Sequence, residues 1–293
     1  MTDLTGSRRT TAPAVSAAKG SDTPLVMVTA YDAPSARAVD AAGVDMILVG
    51  DSVAMVVLGY DDTLQVTTAD MAHHVGAVAR TRPDALVVAD LPWMSYHLGP
   101  DDAVRNAATL VRAGAGAVKL EGGRKRLPAV GAILDAEVPV MGHLGLTPQS
   151  FHTLGGYRVQ GRDLDAARAI VDDAIALAEA GCFALVLECV PDAVARLVTD
   201  SVEVPTIGIG AGRHCDGQVL VFHDLVGLET RVTPKFVRRY ADLAGDATAA
   251  VASFAADVRA SRFPSSDETY HAADGVADAL RLYGGSPAEH APA

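Results

Sequence analysis

The feature that most constrains this chain is an alternation. Short apolar runs bounded by Gly, Asp or Pro recur along it, each followed by a longer, Ala-rich amphipathic stretch. Runs that are hydrophobic throughout suit strands covered on both faces, and the stretches between them suit the covering helices. Eight runs can be read, at residues 25–29, 46–50, 86–90, 117–121, 138–142, 184–189, 206–210 and 219–223. Eight is the number at which parallel βα units close on themselves, so the predicted fold is α/β, a single (β/α)8 TIM barrel. Such a barrel takes roughly 250 residues, and the chain has 293.

Predicted helices include 34–42, 69–80, 101–113, 164–180, 192–200 and a closing 234–260. Several begin with Asp, Ser or Pro and end near Gly, as caps prefer. Residues 22–262 then form the catalytic barrel, with 1–21 and 263–293 as weakly ordered tails rich in Ala, Ser, Pro and Gly.

Composition removes several function classes. Ala and Val carry the mean hydropathy of +0.22, and no run approaches the roughly 18 apolar residues of a membrane helix. Arg8 and Arg9 precede no apolar core, so a secretory leader is not expected and the chain reads as cytoplasmic. Cys182, Cys189 and Cys215 form no Cys-x-x-Cys pair and are expected as reduced thiols. A net charge of -12 repels nucleic acid and anionic lipid. A small-molecule substrate is therefore expected.

In a barrel of this kind the chemistry lies at the C-terminal ends of the strands. Asp51 follows the second run, Asp90 ends the third, Lys119 and Glu121 end the fourth, His143 follows the fifth and Glu188 is near the end of the sixth. Side chains alternate along a strand, so Lys119 and Glu121 share one face, toward the barrel mouth. Half-buried carboxylates are costly without a counter-charge, and Asp51, Asp90, Glu121 and Glu188 converge here. A cation is expected, with Asp51, Asp90 and Glu121 as oxygen ligands that suit Mg2+. Nearby carboxylates raise the pKa of Lys119, which favours a fixed ammonium pairing with a substrate carboxylate over a Schiff-base nucleophile. His143 reads either as a pocket hydrogen-bond donor or as a structural histidine.

Other features read as structural. His73 and His74 are adjacent on a predicted helix, cannot face one site together, and belong to a surface or an interface. Gly208, Gly210 and Gly212 follow the seventh run, outside the first βα unit where a dinucleotide loop belongs. The segment 144–162 is long for a βα loop, as lids are, and could equally pack on a neighbouring subunit.

Seven strings carry a resemblance: T-A-Y-D from Thr29, V-G-D-S from Val49, A-D-L-P from Ala89, V-K-L-E-G-G from Val118, G-H-L-G-L-T-P-Q-S from Gly142, L-E-C-V-P from Leu187 and I-G-I-G-A-G from Ile207. In this order they closely resemble the ketopantoate hydroxymethyltransferase family over roughly residues 23–263. The resemblance implies transfer of a hydroxymethyl group from the co-substrate 5,10-methylenetetrahydrofolate to 3-methyl-2-oxobutanoate, through an enolate stabilised by Mg2+. It implies Asp51 and Asp90 as metal ligands, with Glu121 coordinating directly or through water. Ser52 and Lys119, with Asp51 and Asp90, would contact the oxo acid, and Glu188 would accept the proton. A homo-oligomer, a decamer of two pentamers, is implied as well. Trp93 stands where the family more often has phenylalanine, and residues 263–271 depart from the common ending. The rival reading is another Mg-dependent 2-oxo-acid lyase or phosphonomutase of the isocitrate-lyase type. Those enzymes use a cysteine or a further acid in a mobile loop, and 144–162 contains no cysteine.

Overall fold

A computed structural model describes residues 9–231 and 233–281. Its eight strands are β1 Leu25–Thr29, β2 Met46–Val49, β3 Leu86–Asp90, β4 Ala117–Glu121, β5 Val140–Gly145, β6 Ala184–Glu188, β7 Thr206–Ile209 and β8 Gly217–Leu220. All neighbours are parallel, and β8 pairs with β1 to close the barrel in sequence order. The predicted (β/α)8 barrel is the observed architecture.

Strand parity divides the core in two. Met27, Met46, Val88, Met141 and Val186 fill the barrel interior, while Val28, Ile47, Val87, Val118, Leu120 and Leu185 pack outward against the helices. Both groups are nearly solvent-free, which explains why the runs are apolar without alternation.

Two strands begin away from their predicted first residues, and β2, β6 and β7 end one residue early. β5 begins at Val140 instead of 138, because the Val138 N–H turns back to the carbonyl of Ile133 and Pro139 has no N–H to give a ladder. It also continues to Gly145, which brings His143 into the sheet opposite Glu121. β8 starts two residues early, at Gly217, where a Cβ would stand 2.5 Å from the Leu25 carbonyl. That close approach needs glycine and hides the strand start from a search for apolar runs.

The covering helices follow the predicted order at Ala33–Ala41, Thr68–Ala79, Pro100–Ala113, Leu164–Glu179 and Asp192–Ser201, and Leu127–Asp135 fills the interval between β4 and β5. Asp32 and Thr67 cap the first two with reciprocal side-chain bonds. The N-terminal segment is corrected in part. Ala12–Ser16 is a helix with Val15 1% exposed, packed with the barrel-interior residues. Burying one Val contributes only about 1.5 kcal/mol, and one turn is too short for a periodic signal. Residues 1–8 and 282–293 of the predicted tails lie outside the described residues.

By contacts the chain divides between Ala241 and Asp242. The closing helix, expected at 234–260 as part of the barrel, spans Leu243–Arg259 in the second unit, capped by Asp242. That unit also holds the helix Val276–Arg281.

Candidate active site

The residues at the strand ends form one buried polar ring. Asp90 and Lys119 are opposite each other on β3 and β4, and Glu121 and His143 on β4 and β5. Register and parity therefore aim all four, with Glu188 of β6, into the mouth of the barrel. Asp51, Asp90, Lys119, Glu121 and His143 are each no more than 4% exposed, and only Glu188 retains partial access to solvent.

Lys119 Nζ lies 2.9 Å from Asp90 Oδ1 and 3.2 Å from His143 Nδ1. The other ring nitrogen of His143, Nε2, is 3.2 Å from Glu188, and Nδ1 is 3.5 Å from Glu121. Asp90 Oδ2 accepts the backbone N–H of Asp51 at 3.1 Å. Ser52 lies just beyond, its hydroxyl 2.8 Å from the Tyr31 phenol.

Two further residues complete the ring, and the sequence reading missed both. The Gln149 amide donates to Asp51 at 2.8 Å and to the Leu91 carbonyl at 2.9 Å, while its backbone N–H donates to Glu121 at 3.0 Å. The Tyr96 hydroxyl donates to the Gln149 side-chain oxygen at 2.6 Å. Uncharged residues in a loop have no titratable signature, and only the quoted string T-P-Q-S pointed toward Gln149. His74 belongs to the helix layer as expected of a structural residue, with Nδ1 2.7 Å from the Tyr31 carbonyl.

Electrostatics follow from burial. Burial, with Asp90 and Glu121 nearby, pushes the Asp51 carboxyl well above the usual range, and burial likewise raises Asp90 against the pull of Lys119. Burial opposes ionisation of Glu121 too, but His143 and Lys119 outweigh it and hold that carboxyl low. Burial and Lys119 disfavour protonated His143, yet its two carboxylate neighbours prevail and its pKa rises to about 9. Lys119 is raised by Asp90, Glu121 and Asp51 despite burial, so it stays an ammonium.

The ring fits a divalent cation. Asp90 Oδ1 is buried, and although Lys119 is at ion-pair distance it has no well-formed hydrogen bond. Asp51 and Asp90 supply hard oxygen donors whose mutual repulsion a cation relieves. Among the described residues no three His, Cys, Asp or Glu side chains form a ready metal cage.

The β5 loop reaches over this mouth, with the Tyr157 hydroxyl 3.5 Å from Met55 Sδ in the segment after β2. Gly145 makes the loop's exit possible: at φ +92°, a Cβ there would stand 2.2 Å from the Glu188 carbonyl. Of the Gly208–Gly212 run, Gly208 lies within β7, and Gly210 and Gly212 follow it at positive φ.

Comparison with known proteins decides the family. The model of ketopantoate hydroxymethyltransferase matches residues 9–266. The chain belongs to that family. It is similar to the 3-methyl-2-oxobutanoate hydroxymethyltransferase of Pyrobaculum calidifontis, 58% identical over 85% of this chain and 93% of the relative. The enzyme of that name from Moorella thermoacetica is 56% identical over 89% of this chain and 98% of its own length. Membership makes the chain an enzyme, a transferase of the hydroxymethyltransferase family. Solved structures add the fold alone. Phosphonopyruvate hydrolase, solved with oxalate and Mg++, superposes with a TM-score of 0.58 at 16% identity, over 93% of this chain and 94% of that one. 2,3-Dimethylmalate lyase, described as a PEP mutase/isocitrate lyase superfamily member, gives 0.55 at 19%, over 93% and 97%. The rival lyase reading thus shares the barrel, while identity above half assigns the family to the hydroxymethyltransferases. Among the described residues no helix is long and apolar enough to cross a membrane.

Proposed function

We propose that this hydroxymethyltransferase moves the one-carbon unit of 5,10-methylenetetrahydrofolate to 3-methyl-2-oxobutanoate, giving ketopantoate in the first step of pantothenate synthesis. The observation that carries the reading is the buried ring, in which one partly accessible carboxylate, Glu188, faces the same interior as a fixed ammonium, Lys119, and the carboxylates of Asp51 and Asp90.

Asp51 and Asp90 would hold Mg2+, with Glu121, whose oxygens already meet His143 and the Gln149 N–H, coordinating it directly or through water. When bound, that ion supplies Lewis-acid stabilisation of negative charge on the 2-oxo oxygen. Lys119 and Ser52 orient the substrate carboxylate. Glu188 takes the C3 proton, and the electron pair of that C–H bond becomes the new bond to the folate-borne carbon. One water is consumed, its oxygen ending in the hydroxymethyl group, and tetrahydrofolate leaves. His143 holds the Glu188 carboxylate in place and receives support from Glu121 behind it. A cytoplasmic decamer completes the reading and rests on the family resemblance.

An assay with 3-methyl-2-oxobutanoate, methylenetetrahydrofolate and Mg2+ tests it. Ketopantoate should form only when all three are present. Absence of product, with cleavage of a branched 2-hydroxy acid instead, would move the chain to the lyase reading.

A further inference from the structure

A basic cluster borders the ring without taking part in it. Arg124, Lys125 and Arg126 form a single turn directly after β4 and Gly122–Gly123. Arg124 is occupied: its backbone N–H donates to Asp173 at 3.0 Å and its guanidinium to the Asp172 carbonyl at 3.2 Å. Arg126 differs. Its guanidinium carbon lies 5.2 Å from the centroid of the Tyr96 ring, and its buried Nε has no hydrogen-bond partner among the described residues. On the same aromatic ring sits His97, 4.4 Å from it, whose buried Nδ1 is also unpartnered. Burial, then Arg126 and Lys125, push the His97 pKa down to about 4. It is a neutral imidazole able to offer an N–H.

A guanidinium stacked by its face keeps its N–H edges free, and those edges match a carboxylate in two parallel bonds. In a chain of net charge -12, Lys125 and Arg126, without acidic partners among the described residues at a substrate mouth, need an anion from elsewhere. The oxo acid does not supply it, because its one carboxylate is matched by Lys119 inside the ring. Tyr96 separates the two places: its hydroxyl reaches Gln149 within the ring, and its ring carries Arg126. The second substrate does bring such an anion, since a folate ends in a glutamate with two carboxylates. Trp93 and Met94, exposed on the same loop as His97, offer apolar surface for the planar part of that molecule.

We propose that Arg126, with Lys125 and His97 beside it, is the receptor for the glutamate tail of the folate co-substrate. This rests on the folate reading given above. The test compares tetrahydrofolate with tetrahydropteroate, the same molecule without glutamate, by titration calorimetry on the full chain with Mg2+. The wild-type protein should bind tetrahydrofolate about tenfold more tightly, as expected for one charge-assisted paired contact. Arg126→Met should bring the two affinities within twofold of each other, and Arg126→Lys, which keeps charge but loses the forked edge, should lose most of the preference. Circular dichroism melting checks that each variant folds; if Arg126→Met does not, Arg126→Lys decides. A wild-type protein that binds both compounds equally, or variants that keep the full preference, overturn the receptor and leave the folate reading standing. A wild-type protein that binds neither compound overturns both. A role for Arg126 confined to a subunit contact would change sedimentation with the preference intact, which also overturns the proposal.

Discussion

His143 Nε2 lies 3.2 Å from the carboxylate of Glu188, and this contact is what turns the one accessible acid of the ring toward its interior. The imidazole is itself held from behind by Glu121, so the orientation of Glu188 depends on residues of three adjacent strands. Deprotonation and one-carbon transfer can be observed separately. The wild-type enzyme with Mg2+ should exchange the C3 proton of 3-methyl-2-oxobutanoate for deuterium in heavy water without folate. Glu188→Gln should slow that exchange by about 10²–10⁴, the usual cost of losing a general base. An exchange rate within a few-fold of wild type would falsify the assignment.

Asp51→Ala and Asp90→Ala should each abolish Mg-dependent turnover while the far-ultraviolet dichroism stays that of the wild type. Both side chains sit at the mouth and not among the packed apolar layers. Turnover that keeps its Mg2+ dependence in both variants would remove them as ligands.

Gln149→Leu should weaken metal affinity by about 10–100-fold, the range seen when a residue orienting a metal ligand is lost. Its amide is the neutral donor that meets Asp51, and its backbone N–H ties Glu121 to the same loop. Calorimetric titration of the apoprotein with Mg2+ or Mn2+ measures this without an activity readout. An affinity within twofold of wild type shows that Asp51 needs no such support.

Lys119 should form no covalent adduct. Its neighbours Asp90, Glu121 and Asp51 raise its pKa, so the neutral amine needed for a Schiff base is scarce at neutral pH. Borohydride added during turnover, followed by mass spectrometry of the peptide carrying Lys119, should find no added substrate mass; its appearance there would reverse the role.

Asp216, far from this chemistry, should govern stability at the seam of the barrel. Its carboxylate accepts the Thr206 N–H at 2.8 Å and the Gly20 N–H at 3.2 Å and pairs with Lys19 at 3.0 Å. Burial opposes ionisation, but these donors outweigh it and hold the carboxyl below its usual range. The folded-state pKa is thus depressed, so the contribution is complete above the unfolded value of about 3.9 and is lost as pH falls through the folded one. Asp216→Asn should destabilise by about 1–3 kcal/mol at pH 7, with the difference from wild type shrinking below about pH 4. Urea melts at pH 7 and pH 3 measure it, and a difference independent of pH excludes the charge as its source.

The sequence by itself determined the barrel. Strands covered on both faces must be apolar throughout, so runs such as Leu86–Asp90 and Ala184–Glu188 are visible as unbroken strings with their polar residue at the end. It also determined which charged residues share the mouth, because parity along a strand is a local property: Lys119 and Glu121 point together whatever surrounds them. What only the tertiary structure decided are contacts between residues distant in the chain. Gln149 meets Asp51 across 98 positions, and Tyr96 meets Gln149 across 53. No local pattern encodes such pairs, since a hydrogen bond from an uncharged amide or phenol leaves neither a periodic nor a charge signature. Tertiary structure likewise placed His143 inside β5, where strand register sets it opposite Glu121, and seated Val15 among the barrel-interior residues, where burial within a closed barrel makes one short turn of helix stable.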